Sequence, residues 1–236
     1  VPLLQKRWTA LRGGKDPFYT FPQLHQWHEE ARVKARYFIH VGNRGPFDRP
    51  NDWRRPAVRK AVQQLAKHVE QVGLHPSWTA AEDFSQLQRE KRRLEQILER
   101  PVTQSRQHFL RLELPRHYQW LLSVGIREDF TMGYADHFGF RASTSRSFVW
   151  YDLSRESPTA LRVHPFAVMD ATLKHYLRQS VPQAKASLEK LIATVKAVDG
   201  HFTTLWHNSS FSAVEDWEKW AEVYPWLLAT ATHQQQ

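Results

Sequence analysis

The sequence predicts an α/β fold built on a parallel sheet with crossover helices. Three observations lead there: short apolar runs alternate with segments of helical period, the runs end in polar tips, and proline or glycine stands at many of the joints. The 236 residues suffice for one large α/β barrel or two small domains, and no internal repeat divides them, so a single domain over 1–236 is expected. Its tail at 231–236, where the glutamines gather, is expected to be disordered.

The first apolar run is Arg36-Tyr37-Phe38-Ile39-His40-Val41, ending at Gly42-Asn43. A loop rich in Pro, Arg and Asp follows through Arg55. Pro56 suits the first turn of a helix running to about Gln71, with Gly73 as its stop, and Val72 to His75 is the next short run. Thr79-Ala80-Ala81-Glu82 reads as a capping box that opens a helix through about Glu99. Pro101 ends that helix, and Val102 to Arg106 is strand-like. Pro115 starts another helix, stopped near Gly125, before the short run Ile126 to Phe130. Ser147 to Tyr151 and Leu161 to Val163 are β-rich. Ser180-Val181-Pro182-Gln183 is a second capping box, leading a long amphipathic helix to Gly200. Phe202 to Trp206 is the last strand, and a Trp-rich helix closes the chain from about Val214.

Composition narrows the function. Hydrophobic residues make up 41% of the chain, with 10 Trp and 13 Phe, enough for a sizeable core. Absence of Cys excludes disulfides, thiolate ligands and a Cys nucleophile. The net charge of +9 could suit an anionic polymer. Its cations are dispersed, however, as in Arg89, Lys91, Arg92 and Arg93 beside Glu90 and Glu95, which reads as a solvated face and not as a nucleic-acid surface. No apolar run approaches the ~20 residues of a membrane span. No secretory signal opens the chain, which favours the cytoplasm, although a start at Val1 instead of Met suggests a processed or partial sequence. Phosphate-binding glycine loops, G-x-S-x-G turns and H-E-x-x-H pairs are absent.

The polar residues just past the expected strands are Asn43, His75, Arg106 with His108, Asp129, His164, and His207 with Asn208. In folds of alternating strands and helices, such C-terminal strand ends form the active site. Four of these residues are histidines, and imidazole suits a borderline divalent ion such as Zn²⁺. His164, followed by Pro165-Phe166, reads instead as a satisfied core histidine. His25 and His28 stand three apart on a helix, where an exposed face is the simpler reading.

The order of these segments resembles the polysaccharide deacetylase family. Phe21 to Gly42 is similar to the helix and strand that follow the family's first motif, and QVGLH at 71–75 resembles the start of the second, whose first histidine binds metal. SRQHF places Arg106 where the family has an arginine that orients the catalytic carboxylate, and Leu205-Trp206-His207 resembles the fifth motif, which ends in a general acid. The blocks GLHPS, SRQHF, DFTMGYA, FGFRAS, HPFAVMD and LWHN are closer still to a bacterial subgroup of that family. The resemblance spans roughly Pro17 to Trp220. It departs from the family at His75-Pro76-Ser77-Trp78, where Trp78 stands in place of a second histidine, and in lacking an aspartate pair before Phe21, for which Asp16 is a poor substitute.

The resemblance implies a (β/α)-barrel of the glycoside hydrolase/deacetylase type. The aspartate pair is expected upstream of Val1, and the barrel is expected to lack its first strand. It also implies metal-dependent removal of acetyl groups from an N-acetylated or O-acetylated polysaccharide, with Zn the expected ion (or Co or Mn). His75 would be a ligand, His108 the replacement second ligand, Arg106 the residue that positions the base, and His207 the general acid. Trp78, Tyr134, Phe138 and Asn208 would line the sugar groove, and Asp129 is the internal carboxylate nominated to stand in for the missing base. The alternative is a barrel without catalysis that binds a glycan or scaffolds a partner.

Overall fold

The computed structural model describes residues 16, 18–212 and 217–232. The described residues fall into two compact units, one of residues 35–134 and 139–166, the other of those within 1–34, 135–138 and 167–236. The start of the chain, the expected helix start near Val214 and the end of the glutamine tail lie outside the described residues.

The first unit holds a six-stranded sheet. Its strands are β1 (Arg36–Ile39), β2 (Gln71–Leu74), β3 (Gln104–Ser105), β4 (Glu128–Asp129), β5 (Phe148–Asp152) and β6 (Ser157–Val163). They are ordered β1-β2-β3-β4-β6-β5, and every pairing is parallel except the β5–β6 hairpin. Helices α1 (Phe21–Glu30), α2 (Pro56–Leu65), α3 (Phe84–Leu98) and α4 (Arg116–Ser123) complete this part of the sequence, with α1 belonging to the other unit. The core of the sheet unit gathers Leu74, Leu94, Ile97, Val102, Tyr118, Ile126, Leu161 and Val163. This is the mixed α/β architecture with a mainly parallel sheet that the sequence predicts.

Two local expectations are corrected. Helix α2 ends at Leu65, six residues short of Gln71, because Gln71–Leu74 is captured as β2 in register with Arg36–Ile39. Gly73 is therefore no helix stop. A Cβ there would lie 2.7–2.8 Å from the Phe38 ring and 2.9 Å from the Gln104 carbonyl oxygen, so glycine lets three strands approach around that ring. Thr79–Ala81 is a 3₁₀ turn and not the head of a helix. The true N-cap of α3 is Asp83, whose carboxylate accepts the Ser85 N–H at 2.8 Å, while Glu82 is drawn away to Arg111.

The second unit pairs β7 (Val168–Met169) with β8 (Thr204–Leu205) in parallel. A π-helical segment (Thr172–Tyr176) follows β7, then α5 (Val181–Ala197), and α6 (Val223–Thr232) closes the described chain. The Ser180/Gln183 capping box forms as its sequence dictates. Leu173, Ala184, Leu188, Ile192, Trp217, Trp220, Val223 and Leu227 build this unit's core. His28, expected on an exposed face, is buried and bonded to the Tyr224 hydroxyl at 2.7 Å; burial and His25 pull its pKa down to about 4. Among the described residues, no helix is long and apolar enough to cross a membrane.

Candidate metal centre and a histidine–aspartate pair

Parallel strands deliver their following loops to one end, and in the sheet unit three such loops supply a cluster of four residues. His40 follows β1, Asp48 lies on the loop beyond it, His75 follows β2, and His108 lies three residues past β3. His40 Nε2 and His108 Nε2 stand 3.2 and 3.9 Å from Asp48 Oδ1. These three residues can each offer one ligand atom within 4.8 Å of the others. A tetrahedral ion with bonds of ~2.0–2.1 Å requires ligand atoms roughly 3.3–3.5 Å apart, so small adjustments would suffice. Two imidazoles and a carboxylate are a donor set for a borderline divalent ion. His40 Nε2 is also a buried nitrogen without a hydrogen-bond partner of good geometry, which a cation would satisfy. Burial, and then His108, pull the His40 pKa down to about 4 against the pull of Asp48, so this imidazole is neutral at pH 7.

His75 stands behind His108. Its Nδ1 donates to the Arg106 carbonyl at 2.6 Å, which fixes the tautomer and turns Nε2 toward His108 Nδ1 at 3.0 Å. Such an outer contact orients a ligand histidine. The two histidines singled out from the sequence are thus in contact, while His40 and Asp48 were missed. His40 was hidden inside the apolar run because the strand ends one residue before it, and nothing local distinguishes Asp48 within its loop.

A buried clamp supports the cluster. Glu90, on α3, accepts the Ser77 N–H at 2.8 Å, the Ser77 hydroxyl at 2.5 Å and the Gln86 amide at 2.7 Å. Burial raises its pKa and these bonds oppose the rise. The next residue, Trp78, donates its N–H to Asp48 Oδ1 at 2.9 Å. Gly42 closes the arrangement: a Cβ there would fall 2.7–2.9 Å from His40, Ser77 and Glu90 atoms.

Arg106 donates from Nε to the Phe130 carbonyl at 3.0 Å and lies over the Phe38 ring at 4.6 Å; burial draws its pKa down to about 10. Asp129 is fully buried, and burial pushes its pKa up to about 6. Its oxygens accept the Thr131 N–H and hydroxyl and the Tyr118 hydroxyl, so it locks the end of β4. His164 bonds Ser147, approaches Glu128 at 3.1 Å and stacks on Phe130. Asn43 accepts from Arg93, and Tyr134 is exposed.

In the other unit, β7 is followed directly by Asp170, which sequence reasoning passed over because a two-residue strand carries no periodic signal. Asp170 is buried and accepts the His207 N–H at 2.7 Å and His207 Nδ1–H at 2.8 Å. It also accepts the Ser210 hydroxyl. Burial alone would raise its pKa, but His207 and Ser210 hold it below the ordinary carboxylate range. The carboxylate sets the His207 tautomer, leaving Nε2 as the atom for proton exchange on a half-exposed ring. Asn208 donates to the Phe18 carbonyl, and Phe138 packs against this unit's core. Asp16 serves only the turn at Phe18.

No family model and no curated protein matches the sequence. Solved structures do. A protein from Mycobacterium smegmatis assigned as a polysaccharide deacetylase matches at 13% identity over 99% of this chain and 80% of its own, with a TM-score of 0.62. One from Bordetella bronchiseptica, assigned as a polysaccharide deacetylase involved in O-antigen biosynthesis, matches at 11% identity over 92% and 79%, with a TM-score of 0.46. With the M. smegmatis likeness extending over nearly the whole chain, the protein has the fold of the polysaccharide deacetylases.

Proposed function

We propose that this chain is a metal-dependent hydrolase that removes acetyl groups from an N-acetylated or O-acetylated polysaccharide. The observation that carries the reading is the convergence of His40, Asp48 and His108 at distances suited to one ion, in a chain with this fold. Held there, a divalent ion (Zn²⁺, or Co²⁺ or Mn²⁺) would polarise the acetyl carbonyl and acidify a water beside it. His75 keeps His108 in its ligating orientation through the Nε2–Nδ1 contact. Asp48 would bring the cluster the carboxylate that the sequence lacks before Phe21: Oδ1, which faces His40 and His108, would hold the ion, and the second oxygen would be the one to take the proton of the attacking water. Arg106 fixes the backbone around the cluster through its carbonyl and side chain. His207, its Nδ1–H held by Asp170, serves as the acid that protonates the leaving amine at Nε2, and the buried carboxylate stabilises the imidazolium between turnovers. Trp78, Tyr134, Phe138 and Asn208 are the candidates for sugar contact.

The test is acetate release from N-acetylated oligosaccharides by the purified chain, with and without added Zn²⁺. Release that depends on the ion and is lost in His108→Ala supports the reading. A chain that retains one ion per molecule and releases no acetate from N- or O-acetylated substrates refutes the catalytic part.

A further inference from the structure

Three aromatic rings crowd the rim of the His40–Asp48–His108 cluster. Phe47 packs on Trp78 with centroids 4.3 Å apart, and Phe109 meets Trp78 edge-on at 5.3 Å and Phe47 at 6.1 Å. Trp78 is the anchor. Its ring is covered by the Arg111 guanidinium at 3.9 Å, and Arg111 is itself held by Glu82 at 2.8 Å. Phe47 and Phe109, by contrast, are 50% and 54% exposed.

Two costs are concentrated here. Leaving two phenyl rings half in water forfeits apolar burial. Phe109 and Leu110 are also consecutive non-glycine residues in the left-handed region, at φ 56° and 52°, a strained conformation for residues that carry a Cβ. The turn is over-determined by its neighbours: Leu110 N–H bonds the Gln107 carbonyl, and the Gln107 side chain reaches the Pro76 and Ser77 carbonyls. A strained turn that holds an aromatic ring outward, beside a candidate metal centre, points to a ligand.

Each ring is also tied to the centre. Phe47 precedes Asp48, and its carbonyl lies 3.2 Å from His108 Nε2. Phe109 follows His108, with ring centroids 4.4 Å apart. Trp78 donates its N–H to Asp48.

We propose that Phe47 and Phe109, backed by Trp78, form a carbohydrate-stacking platform that seats a pyranosyl residue of a polysaccharide next to the metal centre. An apolar patch of two rings is too small for a protein partner but matches the C–H face of one sugar ring. Its surroundings are polar, with Arg44, Arg49 and Glu82 exposed to meet hydroxyls. The platform rests on the deacetylase reading for the adjacency of stacking and chemistry, but its binding does not require turnover.

The experiment titrates the full chain with a β-1,4-linked N-acetylglucosamine hexamer, following tryptophan fluorescence and calorimetry, without added metal. Phe47→Ala and Phe109→Ala should each weaken binding about 3–10-fold, and Phe47→Trp should retain it. Circular dichroism and melting curves verify that these surface variants fold. In turnover assays the alanine variants should raise KM and leave kcat near the parent value. Parent-like affinity in both alanine variants, or no hexamer binding by the parent, overturns the platform even if acetate is released. Binding that depends on both rings without acetate release upholds the platform and overturns the deacetylase reading.

Discussion

Replacing Glu90 with leucine removes the clamp under the candidate metal centre. The structure sets the size of the effect. Three buried donors, the Ser77 N–H, the Ser77 hydroxyl and the Gln86 amide, lose their acceptor at once. Each unsatisfied buried group costs ~1–3 kcal/mol, and a leucine that packs well returns ~1.5–3 kcal/mol of apolar burial. The net loss is roughly 2–5 kcal/mol, a large share of the ~5–15 kcal/mol that stabilises an ordinary domain. At ~2–4 °C per kcal/mol for a chain of this size, the melting temperature should fall by roughly 5–20 °C. Urea unfolding and calorimetry measure the loss. Zn²⁺ affinity should fall as well, because Ser77 fixes the position of Trp78, whose N–H holds Asp48. Glu90→Gln keeps the shape but turns an amide toward backbone and side-chain donors, so it should lie between parent and leucine variant. A leucine variant within ~1 kcal/mol of the parent, with unchanged Zn²⁺ affinity, would refute the clamp.

Further outcomes follow from the two histidine clusters. Zn²⁺ at 100 times its dissociation constant should stabilise the chain by ~2.7 kcal/mol, roughly 5–11 °C in a thermal melt; His108→Ala and Asp48→Asn should abolish that shift, and His207→Ala should leave it. Asp170→Asn should lower acetate release by ~10²–10⁴-fold through a misplaced His207 tautomer, with the thermal shift by Zn²⁺ retained. Asp170, held below its usual pKa, contributes stability that is present above its unfolded value of ~3.9 and lost as pH falls through its folded value, so Asp170→Asn should flatten the acid limb of urea titrations below about pH 4. Gly42→Ala should cost ~1–3 kcal/mol by urea unfolding, since its Cβ has no room between His40, Ser77 and Glu90.

Much of the architecture is legible because its signals are local. Prolines 56 and 182 stand in the first turns of α2 and α5, Ser180 and Gln183 close their box, the apolar run at 36–41 contains β1, and the run at 72–75 overlaps β2, which starts one residue earlier at Gln71. Errors came where pairing overrode propensity. The stretch from 66 to 71 continues a helical pattern, yet Gln71–Leu74 is taken by the sheet, since parallel pairing with β1 buries Val72, Gly73 and Leu74 together. Strands β7 and β8 hold two residues each, too few for any period to show.

The site divides along the same line. By itself the sequence determined that His75, His108 and His207 follow strands, because alternation and loop position are properties of neighbouring residues and the family resemblance falls on the same histidines; His40, enclosed in its apolar run, was not legible in that way. Tertiary structure alone decided their company. Asp48 reaches His40 and His108 across separations of 8 and 60 residues, and Asp170 reaches His207 across 37. The partner of a charged atom is chosen by which strands lie adjacent and which loops the buried Glu90 holds in place, and neither is encoded at any one position. A carboxylate in a loop rich in Pro, Arg and Asp is one among several until the fold brings two imidazoles to it.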